Sequence, residues 1–384
     1  MAKALTLAPG LVPGLVLGLL LAASAAQASV TALLVLEPTD RRDGLMVSRT
    51  GLETNLGRAV GLDVKATQSE DLTDAMRATR SGGFDIFIAP AQVVASALSH
   101  GYELLGNTEP DDQYVLVGKA ELANAAALRG GRIYLPQQDS IYTYLARGLL
   151  TAEGLSFRDL RQVQYARFPQ AGLVAIMMNQ AEATVIRRQD WEEWSRANPG
   201  VARLLGTSGP VPGGLSVAVK KELPQDVRNK MAAWFGSSAT SVGLKPVAAR
   251  SGLPGYQRVA ELGTFTPTSL KGATVVDAAS VKKLIAQGAV LVDTRNEQEF
   301  KQRHIPGARW VPYIEKSLKD VVYDAKLDDF SGLQKLDRNV PVIMQCNGAE
   351  CWKSYKASRE AIGAGFKQVY WFRGGLPEWD QVKP

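Results

Sequence analysis

Short apolar runs typical of buried strands alternate with segments of helical spacing along most of the chain, and this alternation limits the possible folds more than any other feature. Strands are predicted over residues 30–36, 62–66 and 84–90, and helices over 46–60, 71–81 and 92–100. Gly61 and Gly101 follow two of these helices, as residues that end a helix often do. This βαβα order predicts a doubly wound α/β sheet.

A second group of alternating elements follows the first. Its predicted strands cover residues 132–136, 163–168 and 183–187, and its helices cover 142–153 and 172–179. A strand over 214–219 and a helix over 224–237 then return. The sequence therefore predicts two α/β lobes followed by a returning segment.

Three of these segments carry a resemblance to a known family: residues 84–90 (FDIFIAP), 131–143 (GRIYLPQQDSIYT) and 179–186 (NQAEATVI). In this order they resemble the phosphonate-binding subfamily of ABC-transporter binding proteins, over residues 30–260. The last segment is similar to the family's G-x-A-D-A element but lacks its glycine. The resemblance implies a two-lobed type II periplasmic binding fold, a small anionic solute, and an ABC transporter permease as partner.

In such folds the ligand lies between the lobes at loops that begin helices, where main-chain N–H groups attract anions. The candidate ligand residues of one lobe follow Pro136; they are Ser140, Tyr142 and Thr143. Residues 37–39, with Thr39 as candidate, and residues 89–90 face them from the other lobe. Arg187, with Arg188 beside it, follows a strand and could pair with an oxyanion. Each of these could instead be a solvated loop residue.

Residues 1–28 have the pattern of a signal peptide. Lys3 is their only charge, residues 11–26 are apolar, and residues 26–28 form an A-x-A cleavage site. We expect cleavage before Ser29, a periplasmic location, and no membrane span afterwards. The alternative is an N-terminal membrane anchor, for which the apolar run is short; an uncleaved N-terminus would favour a membrane-associated sensor.

Composition narrows the function classes further. The 44 basic and 38 acidic residues are well mixed, so the net charge of +6 does not indicate nucleic-acid binding. The chain has only two cysteines, Cys346 and Cys351, which excludes a disulfide framework and indicates local chemistry or one local disulfide. Length and a Thr/Pro/Ser/Gly-rich stretch predict a first domain over 29–262, a linker over 263–271 and a second domain over 272–384.

Four segments of the second domain follow one another in a specific order: residues 291–295 (LVDTR), 300–309 (FKQRHIPGAR), 341–348 (PVIMQCNG) and 369–379 (VYWFRGGLPEW). Together they resemble the rhodanese domain. The resemblance implies a small α/β domain with a parallel sheet, and it implies a sulfur donor and a thiol acceptor as partners. It also implies that Asp293 and Arg309 form a structural ion pair near the cysteine loop, with His304 fixing its own turn.

The residues around Cys346 support a nucleophile independently of the resemblance. Cys346 follows a buried strand and precedes a predicted helix over residues 352–363. Gly348 allows main-chain N–H groups to turn inward, and these and the helix N-terminus would favour an anionic sulfur. A lowered thiol pKa makes a reactive thiolate, with Asn347 and Ser354 as loop supports. The alternative is an inert buried thiol.

The loop, read as Cys-Asn-Gly-x-x-Cys-Trp, departs from the usual rhodanese pattern. Cys351 stands where rhodaneses often place an arginine, which puts efficient use of thiosulfate in doubt, and Lys353 could supply only a point charge. Cys351 could be a resolving thiol, a disulfide partner of Cys346, or a small apolar residue. Trp352 occupies the arginine position of a Cys-x5-Arg phosphatase, so that class fits poorly.

No metal or other cofactor is expected, because the two cysteines lack further ligands nearby. Two functional hypotheses remain. In the first, the chain is a periplasmic sulfurtransferase or thiol-redox protein: Cys346 forms a persulfide and passes sulfur to a thiol, while the N-terminal domain binds a small anionic solute. In the second, the chain is a solute-binding protein with an inactive rhodanese module used for docking.

Overall fold

The computed structural model describes residues 29–37, 47–247 and 252–382. The expected signal peptide and Thr39 lie outside these ranges. The strands are β1 (Val30–Val35), β2 (Val64–Ser69), β3 (Ile86–Ala89), β4 (Tyr102–Asp112), β5 (Tyr114–Lys119), β6 (Arg132–Pro136), β7 (Gln162–Ala166), β8 (Ala183–Arg187), β9 (Ala202–Thr207), β10 (Val211–Lys220), β11 (Thr274–Val275), β12 (Val290–Asp293), β13 (Arg309–Trp310), β14 (Val342–Gln345) and β15 (Val369–Phe372).

The α-helices are α1 (Arg49–Val60), α2 (Leu72–Ser81), α3 (Ala91–Ser99), α4 (Ile141–Ala152), α5 (Gln170–Met177), α6 (Arg188–Ala197), α7 (Gln225–Ser237), α8 (Gly252–Glu261), α9 (Ala278–Ala286), α10 (Glu297–Gln302), α11 (Trp352–Gly363) and α12 (Gly375–Gln381). None of the helices in the described ranges has the length and apolar character of a membrane span.

The N-terminal part folds into two α/β lobes, as predicted. Lobe 1 contains a sheet of order β2-β1-β3-β10-β4, and lobe 2 contains a sheet of order β7-β6-β8-β5-β9. In each sheet two neighbouring inner strands are parallel, β1 with β3 and β6 with β8, and the next inner strand, β10 or β5, runs antiparallel to them. Most residues of β1, β3 and β8 are buried, which explains their largely apolar sequences. Helix α2 begins at the N-cap Asp71, whose carboxylate accepts a hydrogen bond from Asp74 N at 2.9 Å.

The chain passes between the lobes twice, and the sequence pattern does not predict these crossings. Strand β4 belongs to lobe 1 and β5 to lobe 2, with only Gln113 between them. The chain returns from β9 to β10 through residues 208–210, and β10 runs antiparallel to β3 and β4. Two short adjacent crossings permit the lobes to rotate about them, so they form a hinge.

The C-terminal domain has a third sheet of order β11-β15-β14-β12-β13, and every neighbouring pair is parallel. This confirms the predicted small α/β domain with a parallel sheet. Helix α9 begins at the N-cap Asp277, and α11 covers 352–363, the range that the sequence predicts. Buried side chains fill both faces of the sheet, including Met344 on one face and Ile343 on the other.

The connecting segment 263–271 is packed against the C-terminal domain. Thr266 is buried, and the Trp352 indole N–H donates to Thr264 O at 2.9 Å. Arg373 donates to the carbonyls of Thr266 and Pro267 at 2.8 and 2.9 Å. The segment is therefore part of the packed structure around the cysteine loop, since flexible tethers lack such contacts.

Candidate functional site

Cys346 and Cys351 lie at the two ends of one loop and form a disulfide, with a Cα–Cα distance of 6.1 Å. The loop joins the carboxyl end of β14 to the beginning of α11. Cys346 is 1% exposed and Cys351 is 6% exposed. In this state neither sulfur is a nucleophile, because a disulfide must first be reduced to give a thiolate.

A buried polar network holds the loop residue Asn347. Arg295 Nη1 donates to Asn347 Oδ1 at 3.2 Å, and Asn347 Nδ2 donates to Glu299 Oε1 at 2.6 Å. Arg295 also binds both carboxylate oxygens of Asp293, at 2.7 Å for the closest pair, and all four residues are buried. These bonds position the backbone that follows Cys346, because a fully satisfied buried network is rigid.

The predicted ion pair of Asp293 with Arg309 is wrong. Asp293 pairs with Arg295, whereas Arg309 is exposed on β13. The strand register explains the difference: Arg309 lies opposite Val292, and Trp310 lies opposite Asp293. Since neighbouring residues on a strand point to opposite faces, the Arg309 side chain points away from the Asp293 carboxylate.

Two glycines allow the loop and the C-terminal helix to approach closely. Gly348 has φ of +88°, a left-handed conformation that glycine adopts without strain. Gly375, with φ of +55°, packs its Cα against the main chain of Cys346 and Gly348, and Leu376 N donates to Cys346 O at 3.0 Å. The start of α12 thus packs directly against the main chain of the cysteine loop.

A Gly375→Ala substitution is expected to destabilise this contact by about 1–3 kcal/mol, because the added Cβ would overlap the main chain of Cys346 and Gly348. The melting temperature of the full chain should fall. Gly363→Ala is the matched control in the same domain: it lies at the end of α11 with open space around its Cα, and alanine there should be neutral or slightly stabilising. Equal melting temperatures for the two variants would contradict the close packing at Gly375.

The predicted support residues after the loop lie in the first turn of α11. The Ser354 hydroxyl accepts a hydrogen bond from the Trp371 indole N–H at 3.1 Å, which fixes the helix on β15. Lys353 is 8% exposed, and burial, with Arg77 nearby, lowers the pKa of its amine to about 8. Lys353 is therefore a cation at neutral pH that loses its charge in weakly alkaline solution.

Two groups from outside the C-terminal sheet also contact the loop. The Ala349 carbonyl accepts hydrogen bonds from Thr266 N and Oγ1, at 2.9 and 2.7 Å. Glu350 pairs with Arg80 of α2 at 3.0 Å. The sequence patterns did not identify Thr266, Arg80, Glu350, Arg295 or Glu299 as part of the site. Of these, only Arg295 could have been found, because it is the arginine of the Asp-x-Arg segment.

The His304 side chain contacts Phe300, which precedes it in α10. Its Nδ1 is 2.9 Å from the Phe300 carbonyl oxygen, and its ring stacks on the Phe300 ring with centroids 4.2 Å apart.

The candidate solute residues of lobe 2 divide into two groups. Ser140 caps α4, with its hydroxyl accepting from Thr143 N at 3.3 Å, and Thr143 Oγ1 donates to Pro136 O at 2.8 Å. These two side chains support their own turn. Tyr142 and Arg187 instead line a cavity between the lobes, together with Glu37 and Pro90 of lobe 1 and Tyr114 of lobe 2.

The cavity has a volume of about 20 Å³, close to the space of one water molecule. The Tyr142 hydroxyl is buried beside it and, among the described residues, has no hydrogen-bond partner. Hydrogen bonds also join the lobes directly at Asp139: Thr73 Oγ1 donates to its Oδ2 at 2.9 Å, and Gln92 Nε2 donates to its main-chain oxygen at 3.3 Å. The lobes are therefore closed, and entry of a solute larger than water requires them to separate.

Comparisons with known proteins match two separate parts of the chain to two families. Residues 35–261 match the family described as ABC transporter, phosphonate, periplasmic substrate-binding protein. Residues 277–381 match the rhodanese-like domain. Over 98 residues the chain is 33% identical to the thiosulfate sulfurtransferase GlpE of Pseudomonas syringae pv. syringae, a match that covers 26% of this chain and 78% of that protein.

Solved structures similar to the chain include PhnD1 of Prochlorococcus marinus in complex with methylphosphonate. It is 12% identical with a TM-score of 0.46, and the match covers 61% of this chain and 97% of that one. The alkanesulfonate-binding protein SsuA of Xanthomonas axonopodis pv. citri, bound to MOPS, is 17% identical with a TM-score of 0.36, and the match covers 62% and 85%.

Proposed function

The chain belongs to the family of phosphonate periplasmic substrate-binding proteins of ABC transporters and carries a C-terminal rhodanese-like domain, and from this premise we propose that it is an exported sulfur-transfer protein with a solute-binding domain. Cys346 carries the sulfur once its disulfide with Cys351 has been reduced. The observation that supports this most directly is the position of Cys346, between a buried parallel strand and the N-terminus of α11, in a domain similar to GlpE.

The first step is reduction. A thiol or dithiol supplies two electrons and two protons, which convert the disulfide to two thiols. Loss of a proton then gives the Cys346 thiolate, which the inward amides of the loop and the N-terminus of α11 would stabilise. Reduction therefore controls whether the site is active.

The second step transfers sulfur. The Cys346 thiolate attacks the outer sulfur of a sulfane donor such as thiosulfate; an Sγ–S bond forms, the donor S–S bond breaks, and sulfite leaves. An acceptor thiolate then attacks the outer sulfur of the persulfide, and Cys346 leaves as a thiolate. Cys351 offers a competing route, since its thiolate can attack Cys346 Sγ, restore the disulfide and release hydrosulfide.

Lys353 supports the binding of an anionic donor. A partly buried cation at the start of α11 strengthens attraction to an anion because the surrounding dielectric is low. Arginine is absent from the corresponding position, Cys351, so Lys353 is the candidate cation nearest in sequence to the loop.

We expect Lys353→Met to slow sulfur loading from thiosulfate by about tenfold at pH 7, which corresponds to about 1.4 kcal/mol. Because burial lowers the Lys353 pKa to about 8, the amine is charged below that pH and neutral above it. The ratio of wild-type to Lys353→Met rates should therefore fall towards one as the pH rises through 8. Lys353→Arg, which stays charged, is the control: it should still load sulfur faster than Lys353→Met at pH 9. A ratio that does not change with pH would contradict this role.

The solute-binding domain would take a small anion. Tyr142, Arg187 and Glu37 line the cavity between the lobes, and the family match makes phosphonates the first class to test. Arginine and tyrosine donate hydrogen bonds to oxyanions, and Arg187 can do so with two parallel N–H groups. Residues 1–28 would direct export to the periplasm.

The decisive experiment is mass spectrometry of the full mature chain. The protein is reduced, freed of reductant and incubated with thiosulfate, and a gain of one sulfur atom is expected on the peptide that contains Cys346. Cys346→Ser should show no gain. If no donor from a panel of thiosulfate, polysulfide and organic persulfides adds sulfur to the reduced protein, the proposal is wrong.

One observation favours a second candidate, a solute-binding protein whose rhodanese domain serves only for docking. Both sulfurs are bridged and almost fully buried, and Glu350 of their loop is paired with lobe 1. Under this alternative, Cys346→Ser would retain full biological function in the cell, and calorimetric titration with phosphonates, phosphate and sulfur oxyanions would still detect binding.

A further inference from the structure

One buried carboxylate joins three parts of the molecule. Asp139 belongs to lobe 2, lies directly before the N-cap of α4, and is 2% exposed. Its Oδ2 accepts from Thr73 Oγ1 of lobe 1 at 2.9 Å and from Lys319 Nζ of the rhodanese-like domain at 2.6 Å. The contact between the closed lobes and the contact with the rhodanese-like domain therefore share one oxygen atom.

The turn of residues 137–139 makes further contacts both with lobe 1 and with the rhodanese-like domain. Gln138 Oε1 accepts from Lys319 N at 3.0 Å, which docks the rhodanese-like domain. Gln137 Oε1 accepts from Leu72 N at 3.4 Å, which joins lobe 2 to the start of α2. Movement of lobe 2 away from lobe 1 would thus disturb the turn that Lys319 binds. It would also leave a buried charge without its full set of partners, which is costly.

A second docking contact reaches the disulfide loop itself. Arg80, near the end of α2 in lobe 1, pairs with Glu350, which directly precedes Cys351. The side chains of Arg80 and Glu350 are 5% and 16% exposed, so this ion pair is largely shielded from water. Helix α2 therefore contacts lobe 2 at its first turn and the cysteine loop at its last.

The segment that carries Lys319 is also connected to the cysteines from within its own domain. Lys356, fully buried in α11, pairs with Glu315 at 2.7 Å and donates to Ser317 Oγ at 2.7 Å. Helix α11 begins directly after Cys351. A displacement of Lys319 can therefore be transmitted to the loop through packed, hydrogen-bonded groups.

We propose that closure of the two lobes controls access to the Cys346–Cys351 disulfide. Closed lobes hold Lys319 and Glu350 in place and shield the disulfide from reductants, and separation of the lobes releases the loop. A solute that favours closure then slows reduction. Such control requires only the disulfide and the docking contacts and involves no transfer of sulfur.

The test measures the rate at which a phosphine reduces the disulfide in the full mature chain, with alkylation of the new thiols and mass spectrometry as readout. Two electrons pass from phosphorus to the disulfide, the thiolates take protons from water, and the phosphine oxide receives its oxygen from water. We expect Arg80→Met and Lys319→Met to be reduced faster than the wild type by about tenfold, within the usual range of coupling between sites.

Two controls separate docking from general damage. Arg158 pairs with Asp320 across the same interface at 2.9 Å, but its side chain is 54% exposed, so Arg158→Met should be reduced at the wild-type rate. Lys319→Arg keeps the cation and should restore slow reduction. Circular dichroism establishes that each variant is folded. Wild-type rates for both Arg80→Met and Lys319→Met would overturn the proposal.

The coupling to lobe closure is tested without any solute. Thr73→Val and Gln92→Leu each remove a hydrogen bond whose donor and acceptor both belong to the two lobes. Both should accelerate reduction by several-fold, because they favour open lobes. If Arg80→Met and Lys319→Met accelerate reduction but Thr73→Val and Gln92→Leu do not, a static interface shields the disulfide. Lobe closure then does not control its reduction. Persulfide formation plays no part in these measurements, so their outcome is independent of the sulfur-transfer experiment.

Discussion

Replacing Arg295 with methionine is expected to lower the free energy of local unfolding around the cysteine loop by about 3–5 kcal/mol, the usual effect of breaking a buried ion pair. Arg295 is the shared partner of Asp293 and Asn347, and its side chain is 1% exposed. Methionine fills much of the volume but leaves the Asp293 carboxylate buried without its cation. The loop that begins at Cys346 would lose its main support.

Hydrogen exchange of the β12 and β14 amides under native conditions measures this effect. Exchange should be faster by about a hundredfold or more in Arg295→Met, since each 1.4 kcal/mol corresponds to a factor of ten. Arg309→Met is the matched control: Arg309 is exposed on the neighbouring strand, and its loss should change the free energy by no more than about 0.5 kcal/mol. Comparable effects of the two substitutions would contradict the pairing of Asp293 with Arg295.

A Cys351→Ser variant is expected to load sulfur on Cys346 without prior reduction, whereas the oxidised wild type should load none. Removing Cys351 leaves Cys346 as the only cysteine of the chain, so no intramolecular disulfide can form. The variant should also lose about 2 kcal/mol of stability, the lower end of the usual contribution, because the bridge closes a short loop.

The measurement is mass spectrometry after incubation with thiosulfate, with and without reductant pretreatment. Reduced wild type and untreated Cys351→Ser should show the same gain of one sulfur on Cys346. Cys346→Ser, which retains Cys351, is the control for adventitious addition to a buried thiol. The adduct on Cys351→Ser should also persist longer, because no neighbouring thiolate can expel hydrosulfide. Equal lifetimes of the adduct in both proteins would show that Cys351 is not a resolving thiol.

Much of the architecture follows from local sequence patterns. Apolar runs and helical spacing place the parallel strands and most helices within a few residues, and Gly61 ends α1 with φ of +75° as predicted. The crossings from β4 to β5 and from β9 to β10 were missed. Strand β4 has Gly106 and Pro110 within it and a largely polar second half, so periodicity alone does not identify it as a strand.

The candidate site shows the same division. The sequence alone determines that two cysteines flank a strand-to-helix loop, and therefore that they can form one local disulfide, because five residues of separation bring them within bonding reach. It does not determine which arginine neutralises Asp293, since that depends on the register between β12 and β13. Arg295 lies two residues beyond Asp293 in the sequence, and the register of β12 with β13 points the Arg309 side chain away from the Asp293 carboxylate.

Only the tertiary structure determines how the two domains act on one another. Lys319 and Asp139 are 180 residues apart, and Arg80 and Glu350 are 270 apart. No periodicity links such positions, because each is an ordinary charged residue in a loop or at a helix end until folding brings it to an interface. The order of strands, helices and cysteines follows from local patterns. Long-range packing brings Asp139 to Lys319 and Arg80 to Glu350 and removes these charges from water. The contacts between the lobes and with the cysteine loop depend on that packing.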